Sequence, residues 1–259
     1  MNIVVCVKIE PDLPMLSVSD WLAVEQGEVE CDFARRQLSG FDQSAAEMAL
    51  GLAAQRLTLL TVGDEKTTPV LKALLALDFQ RAVRIEISPM ADVRFSPDHI
   101  AGQIAAFYRQ EPDHSVMIFG SQTSEGQNRQ TGLLLAEILG WPCLTQVCDI
   151  QVLEEGLLRV KRRTAEYVQT LTLRPPVVLI AGQDTQGSLL RIPTLKQKLA
   201  AAGKPLDVLP VQPIPESPRR LIGLRLNDTR RAGVIIQGES VQEMARTLCR
   251  EYLQERWTS

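Results

Sequence analysis

The chain is short of the side chains that most hydrolytic and metal chemistry needs. Its 259 residues hold two histidines, His99 and His114, and five cysteines with no CxxC spacing among them. A zinc site therefore lacks ligands. The odd set Cys6, Cys31, Cys143, Cys148 and Cys249 reads as reduced, partly buried thiols rather than a disulfide framework. There is no Gly-x-Ser-x-Gly elbow and no His-Glu-x-x-His motif. Acidic residues are scattered without pairing, so no catalytic residue and no metal ligand is expected. Lysine and arginine together number 28 against 31 aspartates and glutamates. That balance gives no reason to expect nucleic acid or an anionic membrane as partner. No run approaches the roughly 18 apolar residues of a membrane helix, so no membrane insertion is expected. The first residues lack a basic stretch ahead of a long apolar one and read as a strand rather than a signal peptide. A cytoplasmic location is the expectation.

What is present is an alternation of short apolar runs and helical periodicity. Residues 2–7 form a β-branched run of the kind buried on both faces of a parallel sheet. Similar runs occupy 57–62, 82–87 and 116–119. Helical spacing fills 41–54, 67–77, 96–108 and 130–139 between and after them. Pro97 suits a first helical turn, and Gly140 with Pro142 ends the fourth helix. Strand, helix, strand, helix at this spacing predicts βαβ units and a parallel sheet. Short strands are expected around 15–19 and 28–33. Beyond Pro142 the pattern turns strand-rich over 144–181, with a further core strand after Pro175-Pro176. A short helix follows at 195–202. Residues 205–218 are proline-rich and read as an extended linker, and 239–254 as an amphipathic helix. The expected fold is a Rossmann-like α/β sheet with an added strand-rich segment and a C-terminal arm plus helix. It divides into a nucleotide-binding domain, 1–204, and an arm, 205–259.

In open α/β sheets ligands sit outside the carboxyl ends of the strands. Three such ends stand out: Cys6-Val7-Lys8, Val62-Gly63-Asp64, and the loop from Gly120 to Gly132. That loop is small, polar and glycine-flanked, and it opens a helix. Its main-chain amides can converge on a phosphate with help from the helix dipole. Ser121, Thr123, Ser124 and Thr131 offer hydroxyls, and Arg129 a charge. It is neither a Walker loop nor Gly-x-Gly-x-x-Gly.

Several segments, in order, resemble the electron-transfer flavoprotein β subunit. Val5-Cys6-Val7-Lys8 with Pro11-Asp12 resembles the family's Val-Ala-Val-Lys and Pro-Asp. Ser39-Gly40-Phe41-Asp42 with Ala46-Glu47-Met48-Ala49-Leu50 resembles its Asn-Pro-Phe-Asp segment and following helix. Residues 71–77 with Arg81-Ala82-Val83 resemble its next helix and strand. Gly120, Gln122, Gln130, Thr131 and Gly132 stand in register with its nucleotide loop, and Leu139-Gly140-Trp141-Pro142 completes it. Arg191, Thr194-Leu195 and Lys204-Pro205 resemble its partner-recognition segment. Ser121 stands where the loop usually carries lysine, Glu125-Gly126-Gln127 where it carries three acids, and Ser39-Gly40 in place of Asn-Pro. The chain is thus similar to a divergent paralogue.

The resemblance implies an electron carrier without catalytic residues of its own, working as a heterodimer with an FAD-binding α subunit. It implies a pocket for AMP or a second FAD, lined by Cys6, Ser39, Gly40, Phe41, Asp42, Val62, Gly120, Ser121, Gln122, Thr123, Ser124, Glu125, Gly126, Gln127, Asn128, Arg129, Gln130 and Thr131. The redox FAD would be shared with the α subunit. Arg191 and Leu195 would meet a flavin-dependent dehydrogenase or other oxidoreductase, and the C-terminal arm would embrace the α subunit. Two rivals remain in the residues themselves. An adenylating enzyme would need a pyrophosphate loop that residues 7–14 lack. A stand-alone adenine-nucleotide sensor of the universal-stress type would need a glycine-spaced loop that is absent after the fourth strand.

Overall fold

The β-branched runs pack side by side as buried strands in the computed structural model, which describes the chain except for residues 24–30, 32, 53, 89–90, 92, 183–189, 214–221, 223–232 and 255–259. In chain order the strands are β1 (Asn2–Cys6), β2 (Ile9–Pro11), β3 (Arg36–Leu38), β4 (Arg56–Gly63), β5 (Arg81–Glu86), β6 (Val116–Gly120), β7 (Cys143–Val152), β8 (Leu158–Arg163), β9 (Val168–Leu173), β10 (Val177–Ala181) and β11 (Leu206–Pro210). The α-helices are α1 (Val18–Ala23), α2 (Gly40–Leu50), α3 (Thr68–Leu75), α4 (Pro97–Gln110), α5 (Thr131–Leu139), α6 (Leu195–Ala200) and α7 (Val241–Leu248). Among the described residues, nine strands form one sheet in the order β11-β5-β4-β1-β6-β10-β7-β8-β9. Pairing is parallel from β11 across to β7. The hairpin pairs β7-β8 and β8-β9 are antiparallel. This is the expected Rossmann-like sheet with the strand-rich segment joined to its edge.

Alternation along each strand sends side chains to two separate cores. Ile3, Val5, Leu57, Leu59, Val116, Ile118, Val177 and Leu179 pack with Ala45, Ala46 and Ala49 of α2 and Leu71, Leu74 and Leu75 of α3. Val4, Cys6, Leu60, Val83, Met117, Phe119, Val178 and Ile180 pack with Ala101, Ile104 and Phe107 of α4 and Leu135 of α5. With both faces covered the strands are largely apolar, which is why they read as near-continuous runs, with Thr58, Thr61 and Arg84 the buried polar exceptions in β4 and β5. Each fully buried Val, Leu or Ile contributes about 1.5–3 kcal/mol.

The strand order sets the site. From β1 the chain builds outward through β4 and β5, then returns to place β6 on β1's other side. The reversal opens a crevice between the carboxyl ends of β1 and β6.

Two local expectations differ from the structure. Residues 15–19, expected as a strand, lie in a 3₁₀ turn (Leu13–Met15) and the start of α1. The reason is a capping box: Ser17 Oγ accepts the Asp20 amide at 3.3 Å, and Asp20 accepts the Ser17 amide at 2.7 Å. The short strands here are β2 and β3 instead, paired antiparallel with Ile9 opposite Leu38. Most of the strand expected at 28–33 lies outside the described residues. Leu206–Pro210, expected as linker, is extended but pairs with β5 as a sheet edge, where proline is tolerated because its missing N–H faces outward.

The chain divides into two compact units, Met1–Leu224 and Arg225–Ser259. In the second, Ser240 caps α7 by accepting the Glu243 amide at 3.2 Å, and Glu243 accepts the Glu239 amide at 3.0 Å. Val241, Leu248 and Tyr252 of this segment are exposed.

Candidate functional site

The crevice at the reversal point is a cleft. Its floor is made by strand ends: Cys6 and Val7 from β1 and its exit, Leu60 and Val62 from β4, Phe119 and Gly120 from β6, and Ile180 from β10. Pro97, Ile100 and Ile104 of α4 form an apolar wall, with Val93 and Arg94 ahead of it. The opposite rim is polar: Ser121, Gln122, Thr123, Asn128, Arg129, Gln130 and Thr131. An apolar slot beside a polar rim suits a flat heterocycle joined to an anionic group.

α5 aims its N-terminus at this rim. Gln130 precedes it and supplies no side-chain cap, and Thr131 and Gly132 of its first turn line the cleft at the positive end of the helix dipole. Gly132 lies tight on the sheet, where an added Cβ would stand 3.0 Å from Ile180 Cδ1. At Gly120 an added Cβ would stand 2.7 Å from both the Asp42 amide nitrogen and the Phe41 carbonyl carbon. Any side chain there would separate β6 from α2.

Asp42 is the hub. It is buried in the first turn of α2, where one carboxylate oxygen accepts the Lys8 amide at 3.1 Å and the other the Gly120 amide at 3.2 Å. It thereby ties together the ends of β1 and β6. Burial, then the nearby charge of Glu10, pushes its pKa from the ordinary 3.8 to about 7, against the pull of those hydrogen bonds. Cys6 beside it is buried, and burial first and Asp42 second hold its thiol well above the usual range. Ser39 caps α2 through the Asp42 amide at 3.1 Å, and its hydroxyl donates to the Gln122 carbonyl at 3.2 Å.

The outer part of the loop turns away from the cleft. The Ser124 and Glu125 amides donate to the two carboxylate oxygens of Glu10, at 3.1 and 3.0 Å. Glu10 sits in β2 and is wholly buried. Lys8 Nζ contacts the Glu125 carbonyl at 3.1 Å and its carboxylate at 2.8 Å. Gly126, Gln127 and Arg129 take left-handed φ values of 83°, 41° and 57°. At Gly126 a Cβ would stand 2.6 Å from the Arg94 carbonyl oxygen. Arg129 donates from Nε to the Gln122 side chain.

Of the positions that the resemblance assigns to a nucleotide, Cys6, Asp42, Val62, Gly120, Ser121, Gln122, Thr123, Asn128, Arg129, Gln130 and Thr131 line the cleft. Ser39, Gly40, Phe41, Ser124, Glu125, Gly126 and Gln127 lie outside that lining and support it. Sequence reading missed the α4 wall, whose apolar periodicity signals burial but not what it faces. It also missed Glu10, an acid beside Pro11 in a stretch that reads as polar loop.

Arg191 is anchored to α2: its Nε meets Glu47 at 2.9 Å, and its amide donates to the same carboxylate at 3.1 Å. Leu195 opens α6 and is 73% exposed, near exposed Ile192 and Leu199. Thr194 and Gln197 close a capping box that starts the helix there. Among the described residues, Glu111, Asp113 and His114 have metal-ligand spacing. They lie at the far end of the sheet, with both carboxylates held by Arg81 and Arg56.

The comparisons agree with the geometry. The family profile of the electron transfer flavoprotein domain matches residues 31–213. The chain is 37% identical over 265 residues to an Escherichia coli (strain K12) protein described as "Putative electron transfer flavoprotein subunit YgcR", covering 99% of each. It is 25% identical over 233 residues to the electron transfer flavoprotein subunit beta of Bacillus subtilis (strain 168), covering 86% of this chain and 88% of that one. With a family profile over most of its length and full-length similarity of this kind, the chain belongs to the electron transfer flavoprotein family.

Proposed function

We propose that the chain is the β-type subunit of an electron-transfer flavoprotein, a cytoplasmic electron carrier working as a heterodimer with an FAD-binding α-type subunit. The observation that carries this reading is the cleft between β1 and β6, with the uncapped start of α5 on its rim. It suits an adenine nucleotide, AMP or a second FAD. The similarity to a named β subunit across most of both chains supports the same assignment.

In this reading the chain's own groups bind and orient. The Thr131 and Gly132 amides and Arg129 hold a phosphoryl group, while Ile100, Ile104 and Val62 enclose the base. Asp42 holds the two strand ends at their spacing. FAD shared with the α-type subunit would supply the electron chemistry when bound. The exposed apolar positions Val241, Leu248 and Tyr252 suit contact with that subunit. Leu195 suits the role of an apolar anchor toward an oxidoreductase, with Arg191 fixing its segment to α2.

The test is co-expression with a candidate α-type subunit, copurification, and extraction of cofactors. Flavin bound by the heterodimer and poorly retained by the chain alone is the expected result. Tight, stoichiometric FAD on the isolated chain overturns the reading.

A further inference from the structure

The loop between β6 and α5 lines the cleft with its two stems and is tied down by its tip. Ser121 to Thr123 and Asn128 to Gln130 belong to the cleft lining, whereas Ser124 to Gln127 do not. The amides of Ser124 and Glu125 instead form a two-pronged anion hole. Both donate to Glu10 of β2, at 3.1 and 3.0 Å, and Glu10 is wholly buried. Lys8 Nζ holds the same tip, through the Glu125 carbonyl at 3.1 Å and its carboxylate at 2.8 Å.

The other side of the tip lies on the segment ahead of α4. A Cβ on Gly126 would stand 2.6 Å from the Arg94 carbonyl oxygen. Lys8 and Arg94 both line the cleft, so the tip bridges the exit of β1 and the approach to α4. Gln127 and Arg129 hold left-handed φ values of 41° and 57°, which non-glycine residues keep only while their surroundings impose them. Release of the tip would therefore free both stems to leave the lining. Glu10 itself lies outside that lining, apart from Arg94, Arg129 and the Ser121 to Thr123 stem that a ligand would meet. Its hydrogen bonds need no ligand, so they set a barrier to opening rather than an affinity.

We infer that Glu10 latches this loop as a strap on the rim, and that a nucleotide enters and leaves the cleft when the Ser124 and Glu125 amides come off its carboxylate. The inference rests on the nucleotide reading of the cleft and concerns the rate of exchange, not which nucleotide is held. Glu10 is a positioning residue, not a catalytic one.

The experiment is stopped-flow binding of etheno-AMP, a fluorescent AMP, to the full chain, with release measured by chase with excess AMP. Glu10→Gln keeps the shape and frees one prong. Its association and dissociation rates should both rise at least about tenfold, with Kd held within about threefold. Gly126→Ala disturbs the opposite anchor and should raise both rates at least about threefold. In the wild type, release should be no faster than opening of the Ser124 and Glu125 amides, read by hydrogen exchange. Release that outruns this opening overturns the inference whether or not either variant folds. Unchanged rates in a folded Glu10→Gln also overturn it and leave the nucleotide reading standing. Faster release alone, with Kd weakened in proportion, places Glu10 in holding the ligand and overturns the gate as well. Failure of etheno-AMP, AMP and FAD alike to bind the wild type overturns the reading of the cleft and this inference with it.

Discussion

At the carboxyl end of the sheet, Glu10 and Asp42 are buried carboxylates satisfied by main-chain amides. At the amino end, Glu111 and Asp113 are satisfied by guanidinium groups: Arg81 reaches Glu111 at 2.9 Å and Asp207 at 2.6 Å, and Arg56 reaches Asp113 at 2.8 Å. The difference shows in the protonation of the acids. Arg81 holds Glu111 below its ordinary range, while burial lifts Asp42 to about 7. An acid paired with a cation is a closed account of charge and serves stability. An acid held only by amide dipoles leaves the local field unbalanced, and such acids lie at the end of the sheet where the proposed ligand would bind.

The comparison can be broken most severely at Gly120. Gly120→Ala places a methyl 2.7 Å from backbone atoms of Phe41 and Asp42, neither of which can move without dragging α2. The expected cost is about 3 kcal/mol of stability, with loss of AMP binding, read by urea denaturation and titration. Unchanged stability would show that the two strand ends are not locked as described.

At the other end, Arg81→Ala removes both of its pairings. The acids it leaves are partly exposed, so solvent screens the loss, and about 1–2 kcal/mol is expected. AMP affinity should hold within about twofold, because the network lies across the sheet from the cleft. A large loss of affinity would deny the separation between the two ends.

pH sharpens the contrast by its sign. Asp42 has a raised folded pKa, so its contribution is fully present below the unfolded 3.8 and is lost as pH rises toward about 7. Glu111 is the reverse: its contribution is present above the ordinary 4.5 and is lost as pH falls through its depressed value. The stability of wild type minus Asp42→Asn should therefore fall between pH 4 and about 7 and then level off. Denaturation curves at several pH values give that difference directly. A flat difference would place Asp42's titration outside this window. Cys6, Glu10, the Ser39 hydroxyl and the main chains of Lys8 and Gly120 are the groups facing it.

The smallest effect belongs to a residue at neither end. Leu195 is 73% exposed, so Leu195→Ala should change stability by less than about 0.5 kcal/mol. It should still weaken capture of an oxidoreductase partner, measured by electron transfer between the purified proteins.

The legibility of the chain divides along physical lines. The strands of the parallel sheet could be read because burial on both faces favours nearly continuous apolar runs such as 57–62, interrupted only by Thr58 and Thr61, and 116–119. The start of α1 was also written locally, in Ser17 and Asp20, although its capping box is easily passed over in a polar stretch. The loop at Gly120 announced itself through composition and through its family resemblance. What composition could not say was where each residue of the loop goes. Ser124 and Glu125 carry the same donors as Thr131 and Gly132, yet the first pair faces Glu10 and the second lines the cleft.

Local pattern alone thus determined the alternation of strands and helices, the parallel sheet and the loop that rims its crevice, because each depends on residues near one another in sequence. The tertiary structure alone decided the rest: Asp42 joining β1 to β6, Glu10 filling an anion hole more than a hundred positions away, and Arg81 closing the far end. Those pairings are set by strand order. Strand order is a property of how the whole chain folds back on itself, and no window of sequence contains it.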